Sequence, residues 1–171
     1  MKRLVCLFVF LVAGTALAQS RPAELKWVDP FVGSWACKGI VYAGDWGPEH
    51  PITSTIESKW AYGGMWLKTD YKESKTAKNP KPMTGEGLWG YDSEQKKLVG
   101  GWVDSTGAYQ TQQSDGWKGD TIIFEGPFHM GMTANGRDTF VKKSAKEMTH
   151  VFELDMKGTW TKVESDTCKK Q

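Results

Sequence analysis

The chain has 171 residues, 25 % of them charged and 39 % hydrophobic, a size that suits one globular domain of ~100 to 200 residues and leaves no room for a second. Met1 to Ala18 reads as a secretory signal peptide: Lys2 and Arg3 precede an apolar run from Leu4 to Val12, and Ala16-Leu17-Ala18 sets cleavage before Gln19. That run is shorter than the ~20 residues a membrane span requires. Its loss takes two of 22 basic residues and leaves 20 against 20 acidic ones, so the mature chain is formally neutral and a nucleic-acid reading, which needs a clustered cationic surface, loses its main support.

After the signal, Arg21 to Val28 is the one passage with a helical look, stopped by Asp29-Pro30. Residues 19–32 therefore read as an N-terminal segment with a short helical turn, and 33–168 as a β domain. Beyond it come short runs of β-branched and aromatic residues separated by Gly, Pro, Asn and Asp at the spacing of sandwiches and barrels. About ten strands are predicted: Gly33 to Ala43, Pro51 to Ala61, Met65 to Glu73, Met83 to Tyr91, Lys97 to Asp104, Ala108 to Gln113, Asp120 to Phe128, Arg137 to Lys143, Glu147 to Met156 and Thr159 to Asp166. Turns are expected at Gly63-Gly64, at Ser105-Thr106-Gly107, at Ala134-Asn135-Gly136 and at Lys157-Gly158, and a solvated loop at Ser74 to Pro82 with Lys75, Lys78 and Lys81.

Sequential hairpins without a crossover helix predict an all-β fold, an antiparallel up-and-down meander, and closure into a barrel removes its edges. A two-sheet sandwich would accept the same strands. Closure requires the last strand to pair with the first. Cys6 leaves with the signal, and the two cysteines that remain, Cys37 and Cys168, lie where that pairing brings them together; in an oxidising compartment such a pair is expected as a disulfide. A periplasmic or secreted location follows from the same two features.

With the charged face of each strand turned to solvent, the inward set includes Trp35, Val41, Ile56, Trp60, Leu67, Thr69, Tyr71, Ile122, Phe124, His150, Phe152 and Leu154. In the central strands Leu88 and Gly90 oppose Trp89 and Tyr91, and Leu98, Gly100 and Trp102 oppose Val99, Gly101 and Val103, so either face could point inward. Glycines 85, 87, 90, 100 and 101 fall inside strands, as kinks at barrel corners or as room for a ligand. Nine tryptophans offer aromatic pocket walls or core packing. The candidate ligand-binding residues are Trp60, Leu67, Tyr71, Trp89, Tyr91, Trp102, His150 and Phe152.

No nucleophile elbow, phosphate loop, zinc-protease motif or dinucleotide fingerprint occurs. Of the three histidines, His150 alone lies on the apolar face of a clear strand, as a core residue, a haem or metal ligand, or a general base. Asp104-Ser105-Thr106-Gly107 combines a carboxylate and a hydroxyl, and is also what a tight turn requires. No acid–base pair assembles from the sequence, so no catalytic residue and no metal ligand set is assigned.

Three stretches together carry a resemblance. Phe31-Val32-Gly33-Ser34-Trp35 resembles the G-x-W opening of lipocalin-like barrels, where the Trp plugs the base. Gly87-Leu88-Trp89-Gly90-Tyr91-Asp92 followed by Gly101-Trp102-Val103-Asp104-Ser105-Thr106-Gly107 is similar to the motif pair of a bacterial family catalogued as domain of unknown function fifteen seventy-nine, and Gly64-Met65-Trp66-Leu67 fits the same family. The resemblance implies a lipocalin-like barrel with no established activity. In lipocalins a late Arg packs over the opening Trp; here the only later arginine is Arg137 and the final strand offers Lys162. Related haem-binding barrels use a late His, to which His150 could correspond.

The leading expectation is an exported barrel enclosing a small apolar or amphipathic molecule. The alternatives are an enzyme of the same fold using His150 or Asp104, a haem-binding barrel, and an interaction module whose interior is filled. Oligomeric state is not legible in the sequence.

Overall fold

The computed structural model describes residues 20–171; the signal-peptide expectation lies outside the described residues. Eleven strands follow in order: β1 (Gly33–Val41), β2 (His50–Ala61), β3 (Trp66–Glu73), β4 (Thr84–Asp92), β5 (Lys97–Asp104), β6 (Tyr109–Ser114), β7 (Trp117–Lys118), β8 (Thr121–His129), β9 (Thr133–Ser144), β10 (Glu147–Asp155) and β11 (Trp160–Lys170). Each long strand pairs antiparallel with its sequence neighbours, β1 pairs with β11, and β6 pairs directly with β8. The result is a closed barrel of ten strands, with the two-residue β7 as an added flap on β8. Among the described residues no helix is long and apolar enough to cross a membrane.

Several boundaries depart from the sequence expectation. The stretch Ala134-Asn135-Gly136 is not a turn: it lies inside β9, paired with Gly126–Phe128 of β8, so the β8–β9 ladder overrides the local turn signal of Asn and Gly. The reversal falls instead around Gly131, whose φ is +67°. β11 continues past Asp166 to Lys170, carried by its pairing with β1. The expected Gly63-Gly64 turn is present, with φ of 69° and 86°, values that glycine adopts without steric cost.

The N-terminal segment forms a 3-10 helix, Ala23–Phe31, which runs through Pro30 rather than stopping before it. Tertiary packing overrides the local breaker: the segment caps one end of the barrel and buries Leu25 and Val28 completely against Leu67, Leu98, Ile122 and Phe124. Full burial of each such side chain contributes about 1.5–3 kcal/mol. Two indole N–H groups hold its carbonyls: Trp117 Nε1 donates to Trp27 O at 2.6 Å and Trp35 Nε1 to Phe31 O at 2.9 Å. Trp60 and Tyr91 lie beneath this cap, Trp60 under the Arg21 guanidinium at 3.8 Å and Tyr91 edge-on to Trp27.

Register settles the faces of the central strands. Trp89 and Tyr91 of β4 stand opposite Gly100 and Leu98 of β5, and all four face inward with Trp102, while Val103 is exposed. Four of the five strand glycines, 85, 87, 90 and 100, make room for an indole, whereas Gly101 meets only the Gln110 carbonyl oxygen. A Cβ at Gly85 would lie 2.2 Å from the Trp102 indole, one at Gly87 2.2 Å from Trp89, and one at Gly90 2.9 Å from Trp66. Each indole lies flat over a glycine, inside the wall for Trp89 and Trp102 and outside it for Trp66.

Candidate ligand cavity and its buried carboxylate cluster

Because the 3-10 segment fills one end, the remaining interior is a cavity of about 380 Å³ that opens at the other, near Val41, Trp46, Met83, Thr106 and Met130. Six of the eight sequence candidates, Leu67, Tyr71, Trp89, Trp102, His150 and Phe152, line it. Trp60 and Tyr91 share the inward face but sit under the cap and are not part of the lining. Phe124, Phe128 and Phe140 complete the aromatic wall. Tyr71 and Trp102 meet edge-to-face at 5.8 Å.

The lining also carries a cluster of charged groups around His150, and the sequence argument missed most of it. The inward set expected from the sequence, built with the charged face of each strand in solvent, did not include Asp138, Glu164 or Asp166. The structure turns all three inward, where they line the cavity with His150. The alternation of β11 contained the signal: once Cys168 faces inward to meet Cys37, Asp166 and Glu164 must share its face. The disulfide does form, between directly paired residues with Cα atoms 4.0 Å apart.

Both ring nitrogens of His150 are engaged. Nε2 lies 2.8 Å from Asp138 Oδ1 and Nδ1 3.1 Å from Asp166 Oδ2, and the ring stacks on Phe140 at 4.5 Å. Burial opposes the imidazolium charge, but the carboxylates of Asp166 and Asp138 outweigh it and hold the pKa well above 6.5. Glu164 moves the other way for a carboxyl: burial, then the negative charges of Asp166 and Glu73, push it up to about 8 against the pull of His150. Tyr71 is raised by burial and by the same carboxylates. The assembled acid–base cluster that sequence reading did not find is therefore present.

Polar second contacts hold the cluster in place. The Gln112 side-chain amide donates to Asp138 and to Gln110 Oε1, and the Trp89 indole N–H donates to Gln112 Oε1 at 3.3 Å. Glu73 is a loop anchor: it accepts from Asn79 Nδ2 and Met83 N, each at 2.7 Å, and from the Tyr71 hydroxyl at 3.2 Å. Asp104 is engaged by its turn, accepting from Thr106 N at 2.8 Å, Thr106 Oγ1 at 2.6 Å and Trp102 Nε1 at 3.3 Å.

Haem does not fit His150 as it stands. An axial ligand presents a free imidazole nitrogen to the iron. Here Nε2 is bonded to Asp138, and a macrocycle approaching Nδ1 would meet the Asp166 carboxylate.

A family model described as "Protein of unknown function (DUF1579)" matches residues 21–169. The chain belongs to this family. None of the curated proteins matches the sequence. Among solved structures, the chain is similar to Rv2717c from M. tuberculosis, with 12 % identity and a TM-score of 0.66 over 89 % of this chain and 99 % of that one; at that identity the likeness shows the barrel fold alone. A redesigned β-barrel matches with 9 % identity and a TM-score of 0.42 over 86 % and 95 % of the two chains, too low to add to it. In this DUF1579 protein the opening Trp35 is buried at the capped end, and the cation over its ring is Lys170 at 5.3 Å rather than Lys162. Lys170 is the direct β11 partner of Trp35, a position that appears only once β11 is extended past its expected end.

Proposed function

We propose that the protein is an exported binding protein that encloses a small amphipathic molecule, its apolar part against the aromatic wall and a polar group toward His150, Glu164 and Asp166. The observation that carries this reading is the cavity of about 380 Å³ with one capped end, one open end, aromatic walls and a cluster of polar groups around His150. Such a shape is typical of small-molecule sites, in which apolar area supplies affinity and a few polar groups fix orientation. The Cys37–Cys168 disulfide supports an oxidising compartment, in line with the expected signal peptide.

Native mass spectrometry of the gently purified protein tests the reading, together with titration of an apolar fluorophore. The expected result is a mass adduct released by organic solvent, or saturable one-to-one fluorophore binding. Val41→Trp at the open end should reduce that binding at least tenfold while leaving the far-ultraviolet circular dichroism unchanged. Absence of both adduct and saturable binding overturns the proposal.

A further inference from the structure

We propose that His150, Glu164 and Asp166 form a binding site for a divalent transition-metal ion on the inner wall of the barrel, with Asp138 as the residue that positions His150. The site shares its residues with the polar end proposed for the amphipathic ligand, but binding of the ion does not require that ligand. One ring nitrogen of His150 and one carboxylate oxygen from each of Glu164 and Asp166 lie within 4.8 Å of one another. Donor atoms bound to one ion at ~2.0–2.2 Å lie at most ~4.4 Å apart, so small side-chain rotations close the set.

The hydrogen bonds around His150 favour this use of it. A metal-binding histidine commonly donates its second ring N–H to a carboxylate, which fixes the tautomer and ring orientation. Asp138 Oδ1, 2.8 Å from Nε2, is placed for that role and is itself held by Gln112. Nδ1 then directs its lone pair toward Asp166, 3.1 Å away. An ion between them takes the place of the shared proton and uses the flanking carboxylates as ligands, which a macrocycle cannot do.

Charge and space point the same way. Glu73, Asp138, Glu164 and Asp166 all line the cavity. Among the described residues no lysine or arginine forms an ion pair with any of them, His150 being the one basic partner. Buried carboxylates are normally paired or coordinate metals. Gly39 of β1 stands opposite Asp166, where a Cβ would come within 2.3 Å of the Ser165 carbonyl oxygen and 2.6 Å of the Asp166 Cβ, so the glycine lets β11 approach closely at this position.

Two carboxylates and one imidazole suit zinc, iron or manganese, whereas calcium and magnesium favour all-oxygen sets. Three protein ligands leave positions open toward the cavity.

Isothermal titration of the chelator-stripped mature protein with zinc tests the site, with calcium and dodecylammonium as comparison probes. The expected result is one zinc per chain and a rise in Tm. Zinc affinity should fall by at least ~100-fold in Glu164→Gln and by ~10- to 100-fold in Asp138→Asn. Cobalt(II) substituted into the wild-type protein should give paramagnetically shifted His150 ring signals by nuclear magnetic resonance, a readout that does not depend on any variant folding. Absence of stoichiometric zinc binding, unshifted His150 signals, equal zinc affinity in folded Glu164→Gln, or saturable binding of dodecylammonium with none of zinc each overturns the proposal.

Discussion

His150 and Glu164 respond to pH in the same direction, although one is a base and the other an acid. Both have folded-state pKa values above their ordinary ones, so the folded protein keeps protons that the unfolded chain has released. Stability therefore falls as pH rises. The His150 contribution is complete below 6.5 and is lost as pH climbs through its raised value, while the cost from Glu164 accumulates between 4.5 and about 8. In chelator-treated protein the urea midpoint should decrease from about pH 5 to about pH 8.5, and Glu164→Gln should flatten this decline. A midpoint that rises with pH would show that the carboxylates around His150 are not arranged as described. This cluster was only partly legible in the sequence. His150 stood out because it alternates with Phe152 and Leu154, but the rule that charged positions face water hid Asp138, Glu164 and Asp166. A polar network inside a barrel violates that rule, and only the position of Cys168 discloses it.

Among the elements, β4 and β5 show how glycine and tryptophan are matched across a wall. Hydropathy could not orient these strands because both faces carry apolar residues; cross-strand register does so by placing each indole over a glycine. Gly87→Ala should destabilise by about 1–3 kcal/mol, since the new methyl group lies within 2.2 Å of the Trp89 ring. Replacing Trp89 by Leu in the same chain should recover part of that loss, a coupling that a double-mutant cycle measures directly. If the two effects simply add, the ring does not rest on Gly87. The cap gives a second test at this scale. Leu25→Ala should cost about 2–5 kcal/mol in chemical denaturation, because Leu25 is fully buried against the barrel floor. Strand identities were readable from alternation and turn residues. The cap's path through Pro30 was not, because it is fixed by packing against residues far along the chain.

At the level of the whole molecule, the seam between β1 and β11 holds the barrel closed through hydrogen-bonded pairing from Trp35 to Val41 and through the disulfide, which spans 131 residues. In the chain-entropy account a crosslink closing so long a loop stabilises by about 5 kcal/mol. A Cys37→Ser, Cys168→Ser double variant should therefore unfold at clearly lower denaturant while retaining the barrel's circular dichroism, since the ladder itself does not depend on the sulfurs. Complete loss of β structure would assign closure to the disulfide alone. Expectation and structure agreed here because closure follows from topology: a meander with no covered edge must join its ends.

The same seam dictates when the molecule can mature. Strand β1 finds its final neighbour only after the last residues have been synthesised, so no nascent fragment can complete the ladder, and each unfinished chain exposes two unpaired edges. Long-range pairing of this kind is slow to form, which leaves an interval of vulnerability to aggregation between synthesis and locking. Oxidation of the thiols locks this seam only when β1 and β11 lie side by side, with Cys37 opposite Cys168.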